Sequence, residues 1–291
     1  MRHPIVATKT RQGKKFLQNR ASKTTENDKH TIIVKGGKTS EVVSGALSAL
    51  YALKKPLAEQ LKRNNPFHLF EDDTGIVKFS QKFDASLFLF GSNSKKHPNS
   101  LIFGRMFDYQ VLDMVDLTIQ KFTPPSAFKA HGVTFGAKPC ILLQGTLFES
   151  DESMKRIGNL MVDWFRGPVV NSVRLQGLEL IISLTASAEN KIHLRVYRTQ
   201  LKKSGGKTPR VELVEIGPSI DFSVDRTKLA SEDLFKSALF KPKELMVKPR
   251  KNISRDVFGT QHARIHVGRQ HPDTIQTRKL KAFKKPFREQ E

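Results

Sequence analysis

The sequence has one cysteine and no long apolar run, and each shortage excludes a class of protein. With Cys140 alone, no internal disulfide can form, which fits a reducing compartment. Because Cys140 lies in the apolar run 140–143, we interpret it as a buried structural thiol rather than a nucleophile. No stretch approaches the roughly 18 apolar residues of a membrane span, and residues 1–18 lack the apolar segment of a secretory signal. We therefore expect neither a membrane span nor export.

Acidic residues are scarce relative to basic ones. The chain has 50 Lys and Arg against 28 Asp and Glu, a net charge of +22. Such an excess attracts a polyanion, most often nucleic acid, with an anionic membrane surface as the main alternative. Basic and acidic residues number 8 and 2 in residues 1–30, 14 and 5 in residues 241–291, and 28 and 21 between them. The net charge is therefore +6 for residues 1–30, +7 for residues 31–240 and +9 for residues 241–291. This distribution predicts a globular body with two basic arms that stay flexible until they bind.

The body shows a repeated pattern of apolar segments, and the first copy covers about residues 30–123. After the first strand come two glycines and a helix that Thr39 or Ser40 can cap, and in which Val43, Leu47 and Leu50 recur at helical spacing. The elements predicted for this copy are strand 31–34, helix 40–53, strand 86–90, strand 100–104 and helix 108–122.

The second copy covers about residues 137–240. Ser150 is the predicted cap of its helix, which opens with Asp151 and Glu152, and Trp164 and Phe165 lie on the apolar face as core residues. The predicted elements are strand 140–147, helix 151–165, strand 178–184, strand 192–199 and strand 211–216.

Both copies have the order strand, helix, hairpin. The sequence therefore predicts an α/β body of two pseudo-duplicated halves joined by residues 124–136. The expected domain bounds are 1–29 for the N-terminal arm, 30–240 for the body and 241–291 for the C-terminal tail.

Several short motifs give the body and the tail a family resemblance. Two lie in the body: His-Pro-Asn-Ser-Leu-Ile-Phe-Gly-Arg at residues 97–105 and Glu-Ile-Gly-Pro-Ser-Ile-Asp-Phe at residues 215–222. Four more, which have no obvious role in a core, lie in the tail at residues 251–254, 258–260, 264–266 and 276–279. With these motifs the chain resembles the Brix-domain family over about residues 28–240. Many members have Gly-Pro-Arg-Phe where this chain has Gly-Pro-Ser-Ile, a variant similar to the branch that serves the large ribosomal subunit.

The resemblance implies a fold, a function and a set of partners. The fold would be two halves, each similar to the anticodon-binding domain of certain aminoacyl-tRNA synthetases. The function would be biogenesis of the large (60S) ribosomal subunit in the nucleus and nucleolus, without enzymatic activity. The implied partners are 5S rRNA, large-subunit rRNA, the two ribosomal proteins bound to 5S rRNA, the preribosomal particle, and a heterodimer partner, the regulator of ribosome synthesis protein. No membrane and no cofactor are expected.

Basic side chains in three places are the candidate RNA-binding residues, because flexible cations can follow a phosphate backbone. Those in the body and the tail are Lys95, Lys96, Lys248, Arg250, Lys251, Arg255, Arg264, Arg269, Arg278, Lys279, Lys281, Lys284, Lys285 and Arg288. Those in the N-terminal arm are Arg11, Lys14, Lys15 and Arg20. The alternatives are a solvated tail that serves only nuclear import, a solubilising N-terminal arm, and an ordinary polar hairpin turn at Lys95 and Lys96.

Other motifs in the sequence are less specific. Phe258, Phe283 and Phe287 lie among the basic residues and could stack on bases or contact a protein. The segment 36–40 lacks the spacing of a nucleotide-binding loop, so we predict a tight turn before a helix. The three histidines at 262, 266 and 271 lack accompanying cysteines, so no metal site is predicted.

Paired carboxylates were considered as possible catalytic groups. Asp113 and Asp116 would be neighbours on the surface of the predicted helix 108–122, and residues 71–73 form an acidic loop. Because nothing in their spacing makes them converge on a metal, we interpret both groups as solvated. A metal-dependent RNA-processing enzyme, another Brix-type factor and a ribosomal protein proper remain as alternatives to a non-catalytic assembly factor.

Overall fold

The computed structural model describes residues 10–20, 27–129, 133–134, 136–170, 172–187, 190–206, 208–240, 251–269 and 271. The chain divides into two compact units, residues 1–240 and residues 241–291. The helices are α1 (Arg11–Arg20), α2 (Glu41–Lys54), α3 (Thr74–Phe83), α4 (Leu147–Ser150), α5 (Glu152–Phe165) and α6 (Glu232–Leu239). The strands are β1 (Thr31–Gly36), β2 (Ala58–Asn65), β3 (Leu87–Ser92), β4 (Ser100–Phe107), β5 (Gln110–Thr123), β6 (Pro139–Gln144), β7 (Leu180–Ser187), β8 (Lys191–Lys202), β9 (Arg210–Glu215), β10 (Ser219–Lys228), β11 (Ile253–Arg255) and β12 (Gln261–Ala263). In the described part of the chain, no helix has the length and apolar character needed to cross a membrane.

One ten-stranded sheet forms the centre of the first unit. Its strand order is β2-β1-β3-β4-β5-β10-β8-β7-β6, with β9 paired to β8. In the first half, β1 pairs in parallel with β2 and β3, and β3, β4 and β5 are antiparallel. In the second half, β6 pairs in parallel with β7, and β7, β8 and β10 are antiparallel.

The two halves repeat one topology. The series β1, α2, β3, β4, β5 corresponds to the series β6, α5, β7, β8, β10 in both order and pairing. The halves join where β5 and β10 pair antiparallel, with Ser219 opposite Thr123. The predicted α/β fold with two pseudo-duplicated halves is thus confirmed, and β2, α3 and β9 are elements that only one half contains.

Helices α2 and α5 cover one face of the sheet. Ser40 caps α2 by accepting a hydrogen bond from the amide of Val43, and Asp151 caps α5 by accepting from the amides of Ser153 and Met154. The apolar side chains of both helices join those of the strands in one core, whose largest fully buried member is Trp164. The predicted core positions on α5 are therefore confirmed.

Among the described residues, the opposite face of the sheet is covered in the first half only. Helix α3 and the loop before it pack Phe67, Phe79 and Ile76 against Phe88 and Phe90 of β3. All members of this second core come from residues 32–114. The corresponding face of the second half belongs to neither core of the described residues.

The prediction of a helix at 108–122 was wrong. This segment is β5, which follows β4 through a two-residue turn in which Asp108 and Tyr109 have positive φ angles of 49° and 57°. Met114, Val115 and Leu117 are all fully buried because β5 is central and both of its faces are covered. A strand buried on both faces has no alternating pattern, and its apolar spacing can then imitate that of a helix.

Smaller differences between sequence and structure concern elements at the edges. Strand β2 was not predicted because its sequence is mostly polar, and neither were α3, β10 and α6. Residues 147–150 form α4 instead of extending β6. Residues 11–20, which were expected to be flexible, form α1. Cys140 is partly exposed rather than buried.

Candidate nucleic-acid interface

The predicted basic residues of the C-terminal tail divide into two groups. Lys251, Arg255, Arg264 and Arg269 are described and exposed to solvent. The remaining eight lie outside the described residues: Lys248, Arg250, Arg278, Lys279, Lys281, Lys284, Lys285 and Arg288. The four exposed cations belong to the second unit and surround the short β11–β12 hairpin.

The basic residues of the N-terminal arm lie on α1. The side chains of Arg11, Lys14 and Lys15 are exposed, and Arg20 is the last residue of the helix. A helix fixes the spacing of its side chains, so these cations are presented as a set rather than along an extended chain. Their role in binding RNA stays a prediction.

Lys95 and Lys96 lie exposed in the loop between β3 and β4. The loop is internally ordered, because the amide of Asn99 donates a hydrogen bond to Oδ1 of Asn93 at 3.1 Å. Among the described residues, neither lysine makes an ion pair. Both ammonium groups are therefore available to a phosphate.

A second loop is hydrogen-bonded to this hairpin. The amide of Asn93 donates to the carbonyl of Lys38 at 2.8 Å, and Oγ of Ser40 donates to Oδ1 of Asn99 at 2.6 Å. Because β1, β2 and β3 are parallel, their carboxyl ends lie at the same edge of the sheet. Exposed Lys38 thus joins Lys95 and Lys96 in one basic edge, beside the N-terminus of α2. Where the sequence predicts a tight turn, the chain bends at Gly37 and Lys38 between β1 and α2.

Asp113 is part of a buried ion network, and its predicted position on a solvated helix face was wrong. It accepts hydrogen bonds from Arg105 at 2.5 and 2.8 Å, from Arg156 at 3.0 Å and from the amide of Ala230 at 2.8 Å. The side chain is 1% exposed. The network joins β4 and β5 of the first half to α5 of the second, so Asp113 is structural.

Asp116 is also buried and paired. Its carboxylate accepts hydrogen bonds from Ser100 and, at 2.7 and 3.2 Å, from Arg226 of β10. With His97 and Asp225 it forms a group whose ligand-type atoms lie within 4.8 Å of one another. Since His97 bonds to Asp225 and a guanidinium already compensates Asp116, these groups are satisfied by one another. We assign them to the junction between the halves rather than to a metal.

A third ion network joins β10 to β8. Asp221 accepts hydrogen bonds from His193 at 2.7 Å and from Arg195 at 2.6 Å. Burial raises the pKa of Asp221, but the hydrogen bonds and charges of His193 and Arg195 outweigh it and hold that pKa below its usual value. The carboxylate is therefore charged at neutral pH, and the network joins two neighbouring strands within the second half.

A buried lysine between α2 and α5 has no signal in the sequence. Lys54, in the last turn of α2, is 5% exposed and donates a hydrogen bond to the carbonyl of Trp164. Its ammonium lies 5.4 Å from the centre of the Trp164 ring. Desolvation by burial lowers the pKa of Lys54 to about 8, although nearby Asp163 opposes this shift.

The uncovered face of the second half has no signal in the sequence either. Apolar side chains that point to it include Leu142 of β6, Leu201 of β8 and Leu213 of β9, which are 37%, 37% and 48% exposed. Leu201 and its neighbour Thr199 also line a cavity of about 410 Å³. Leu201 and Leu213 lie on the paired strands β8 and β9, where Leu201 is opposite the exposed Val211, and this group of apolar side chains is a candidate protein-binding surface.

Comparison with known proteins assigns the chain to a family. A Brix domain matches residues 36–226. Ribosome production factor 2 homologs are similar over most of the chain. That of Caenorhabditis elegans is 58% identical over 97% of this chain and 95% of its own, and that of Homo sapiens is 45% identical over 89% and 84%. That of Schizosaccharomyces pombe is 36% identical over 98% and 93%.

One solved structure, a probable ribosomal biogenesis protein from Aeropyrum pernix, covers 70% of this chain and 99% of its own with a TM-score of 0.46 and 8% identity. A likeness of that size adds no argument. Brix-domain ribosome biogenesis factors are not enzymes, which sets aside the metal-dependent RNA-processing enzyme considered from the sequence. The chain belongs to the Brix domain family, in the group of ribosome production factor 2, and takes part in ribosome biogenesis.

Proposed function

We propose that this chain binds 5S rRNA and recruits the 5S ribonucleoprotein to the precursor of the 60S subunit, where it supports maturation of large-subunit rRNA. The observation that carries the proposal is the tail, where 14 basic residues stand against five acidic ones and the described cations are exposed. Cations of this kind bind RNA by neutralising phosphates and releasing counterions. The names of the related proteins support the ribosomal setting.

In this proposal, three groups of basic residues contribute differently to RNA binding. Lys251, Arg255, Arg264 and Arg269 of the tail supply most of the affinity, together with the basic tail residues outside the described ranges. The basic edge of Lys38, Lys95 and Lys96 adds contacts from a rigid loop, and α1 adds a third set. Phosphate contacts position a protein without reading sequence, so specificity comes from RNA shape and from bound proteins.

The heterodimer partner, the regulator of ribosome synthesis protein, is proposed to cover the open face of the second half. The repeated topology supports this location. In the first half, α3 and its loop cover the face and β2 covers the edge of β1, whereas β6, the counterpart of β1, ends the sheet. A partner chain that packed against Leu142, Leu201 and Leu213 would restore the missing layer.

The remaining partners and the cellular address follow from the same proposal. We assign the two ribosomal proteins bound to 5S rRNA and the preribosomal particle as further contacts, with large-subunit rRNA beside 5S rRNA. The site of action is the nucleus, and within it the nucleolus. The domain bounds proposed are an arm at 1–29, a body at 30–240 with halves of about 30–123 and 137–240, and a tail at 241–291.

The test is the salt dependence of binding to 5S rRNA by the full chain. A quadruple variant replaces Lys251, Arg255, Arg264 and Arg269 with Gln. The affinity should fall, and the slope of log K against log salt should become shallower by about three to four, because each lost phosphate contact removes roughly 0.7–0.9 from the slope.

The control carries the same change in net charge at exposed lysines elsewhere on the body: Lys78, Lys129, Lys155 and Lys203 replaced with Gln. Its slope should stay close to that of the unaltered chain. An equal loss in both variants would mean that net charge alone drives binding, and an unchanged slope in the first variant would refute the role of the tail.

A further inference from the structure

The β11–β12 hairpin is built to hold its tip in one conformation. Ile253 pairs with Ala263 and Arg255 with Gln261 in the ladder, and the amide of Arg264 extends it by donating to the carbonyl of Asn252 at 2.8 Å. At the tip, the amide of Asp256 donates to the carbonyl of Thr260 at 2.9 Å.

The turn itself is stabilised as well. The amide of Gly259 donates to the carbonyl of Asp256 at 2.9 Å, and Gly259 has a φ of +84°, a conformation that favours glycine. The Asp256 carboxylate accepts from the amide of Val257 at 2.6 Å. The tip is therefore an ordered turn rather than a loose loop.

This ordered turn presents apolar side chains to solvent. Val257 is 96% exposed and Phe258 is 92% exposed, values close to those of a fully free side chain. An ordered turn normally carries polar residues, because an exposed aromatic ring gains nothing from folding. Within the described residues, packing does not account for a phenylalanine at position 258.

The charges around the tip indicate the kind of ligand. Arg255 lies next to the turn, Lys251 precedes the hairpin, and Arg264 and Arg269 follow it, all of them exposed. The one acidic side chain of residues 251–271, Asp256, is engaged in the turn. Burial of this hairpin in a protein pocket would require several cations to be desolvated, whereas RNA offers each of them a phosphate.

We propose that the hairpin is an RNA-binding element in which Phe258 stacks on an unpaired base while Arg255 and Arg264 contact the neighbouring phosphates. The inference rests on the proposed binding of rRNA and adds the kind of nucleotide that is bound, namely a base in a loop or bulge. Base pairs in a continuous A-form duplex are already stacked and leave no free base face for the ring.

A tryptophan substitution tests the stacking directly. Trp164 is the single tryptophan of the chain and is fully buried, so F258W adds one exposed fluorophore to a constant background. Addition of 5S rRNA to full-length F258W should quench the added fluorescence. A fully paired RNA duplex of equal charge should bind with little quenching, because it offers no unpaired base.

Affinity measurements provide the second readout. F258A should weaken binding to 5S rRNA by about 5- to 100-fold, the range that loss of one stacked base gives, and should leave the salt slope unchanged. R255Q should instead reduce the slope by about 0.7–0.9, as one lost phosphate contact does. F107A is the matched control, because Phe107 is a partly exposed residue at the end of another hairpin.

The outcomes separate this inference from the proposed function. Wild-type binding to 5S rRNA together with unchanged affinity of F258A, or an F258W signal that responds only to a ribosomal protein, would overturn the stacking hypothesis alone. Failure of the unaltered chain to bind 5S rRNA would overturn the proposed function itself.

Discussion

At the scale of single residues, the charged groups inside the body hold its two halves together. Asp113 pairs with Arg156 and Asp116 with Arg226, both arginines belonging to the second half, so the two carboxylates weighed as catalytic groups in the sequence are structural. A buried pair of this kind fixes geometry, because removal of one partner leaves an uncompensated charge in the interior. Lys54 differs from them, since its buried ammonium has a carbonyl rather than a carboxylate as its hydrogen-bond partner.

The lowered pKa of Lys54 predicts a rise in stability with alkaline pH. Below pH 8 the group is charged in the folded and the unfolded chain, and burial of that charge opposes folding. Between pH 8 and 10.5 the unfolded chain binds more protons than the folded chain, so the free energy of unfolding increases with pH. For this single group the gain should approach about 3 kcal/mol across the window.

Denaturation by urea at pH 7.5 and pH 10 checks this expectation. Other lysines also titrate in the window, so the quantity to compare is the change in unfolding free energy of the wild type minus that of Lys54→Met. The difference should be positive, because the variant lacks the group that titrates. A Lys155→Met control, at an exposed position, should show the same pH response as the wild type. Equal responses in all three proteins would refute the assignment.

At the scale of elements, the sequence specified the helices better than the central strands. Helices α2 and α5 have a capping residue and a one-sided apolar face, so the sequence locates the start of each to within a residue, although the cap of α5 is Asp151 and not the predicted Ser150. Strand β5 has apolar residues on both faces, and no local pattern distinguished it from a helix. The polar strand β2 pairs only with β1, an interaction that depends on distant residues. The basic edge and the open face could not be predicted from the sequence for the same reason, because both arise from the pairing of strands that are distant in the sequence.

Close packing between β3 and β4 explains why residue 104 is a glycine. This residue lies in the segment 97–105, one of the motifs by which the sequence resembles the Brix-domain family. A Cβ atom added to Gly104 would lie 2.1 Å from the ring of Phe88, which is fully buried. Gly104→Ala should therefore destabilise the body by about 1–3 kcal/mol, the usual range for overpacking a core. Thermal or urea unfolding measures the change, with Gly177→Ala as the control, because no atom lies within 4 Å of a Cβ there. Similar stabilities for the two variants would contradict the packing argument.

At the scale of the whole molecule, a duplicated sheet is covered unequally. In the part of the chain that the structure describes, the face opposite α2 and α5 has its own core in the first half and none in the second, although the strands repeat. Duplication gives both halves the same need for a covering layer, because a central strand with one open apolar face exposes surface that water disfavours. The chain meets that need with α3 in one half. In the other half, we expect a second protein to meet it.

Substitution on the open face tests that expectation. Leu213→Asp places a charge on a partly exposed position of β9, where it should leave the fold intact and RNA affinity unchanged. If the regulator of ribosome synthesis protein covers this face, its affinity should fall at least about tenfold, since burial of a leucine is worth roughly 1.5–3 kcal/mol and a buried carboxylate opposes binding. Val42→Asp, on the solvent side of α2 at a similar exposure of 37%, is the matched control and should bind the partner normally. Titration of the partner against each purified variant measures the effect, and a loss confined to Val42→Asp would move the partner to the helical face.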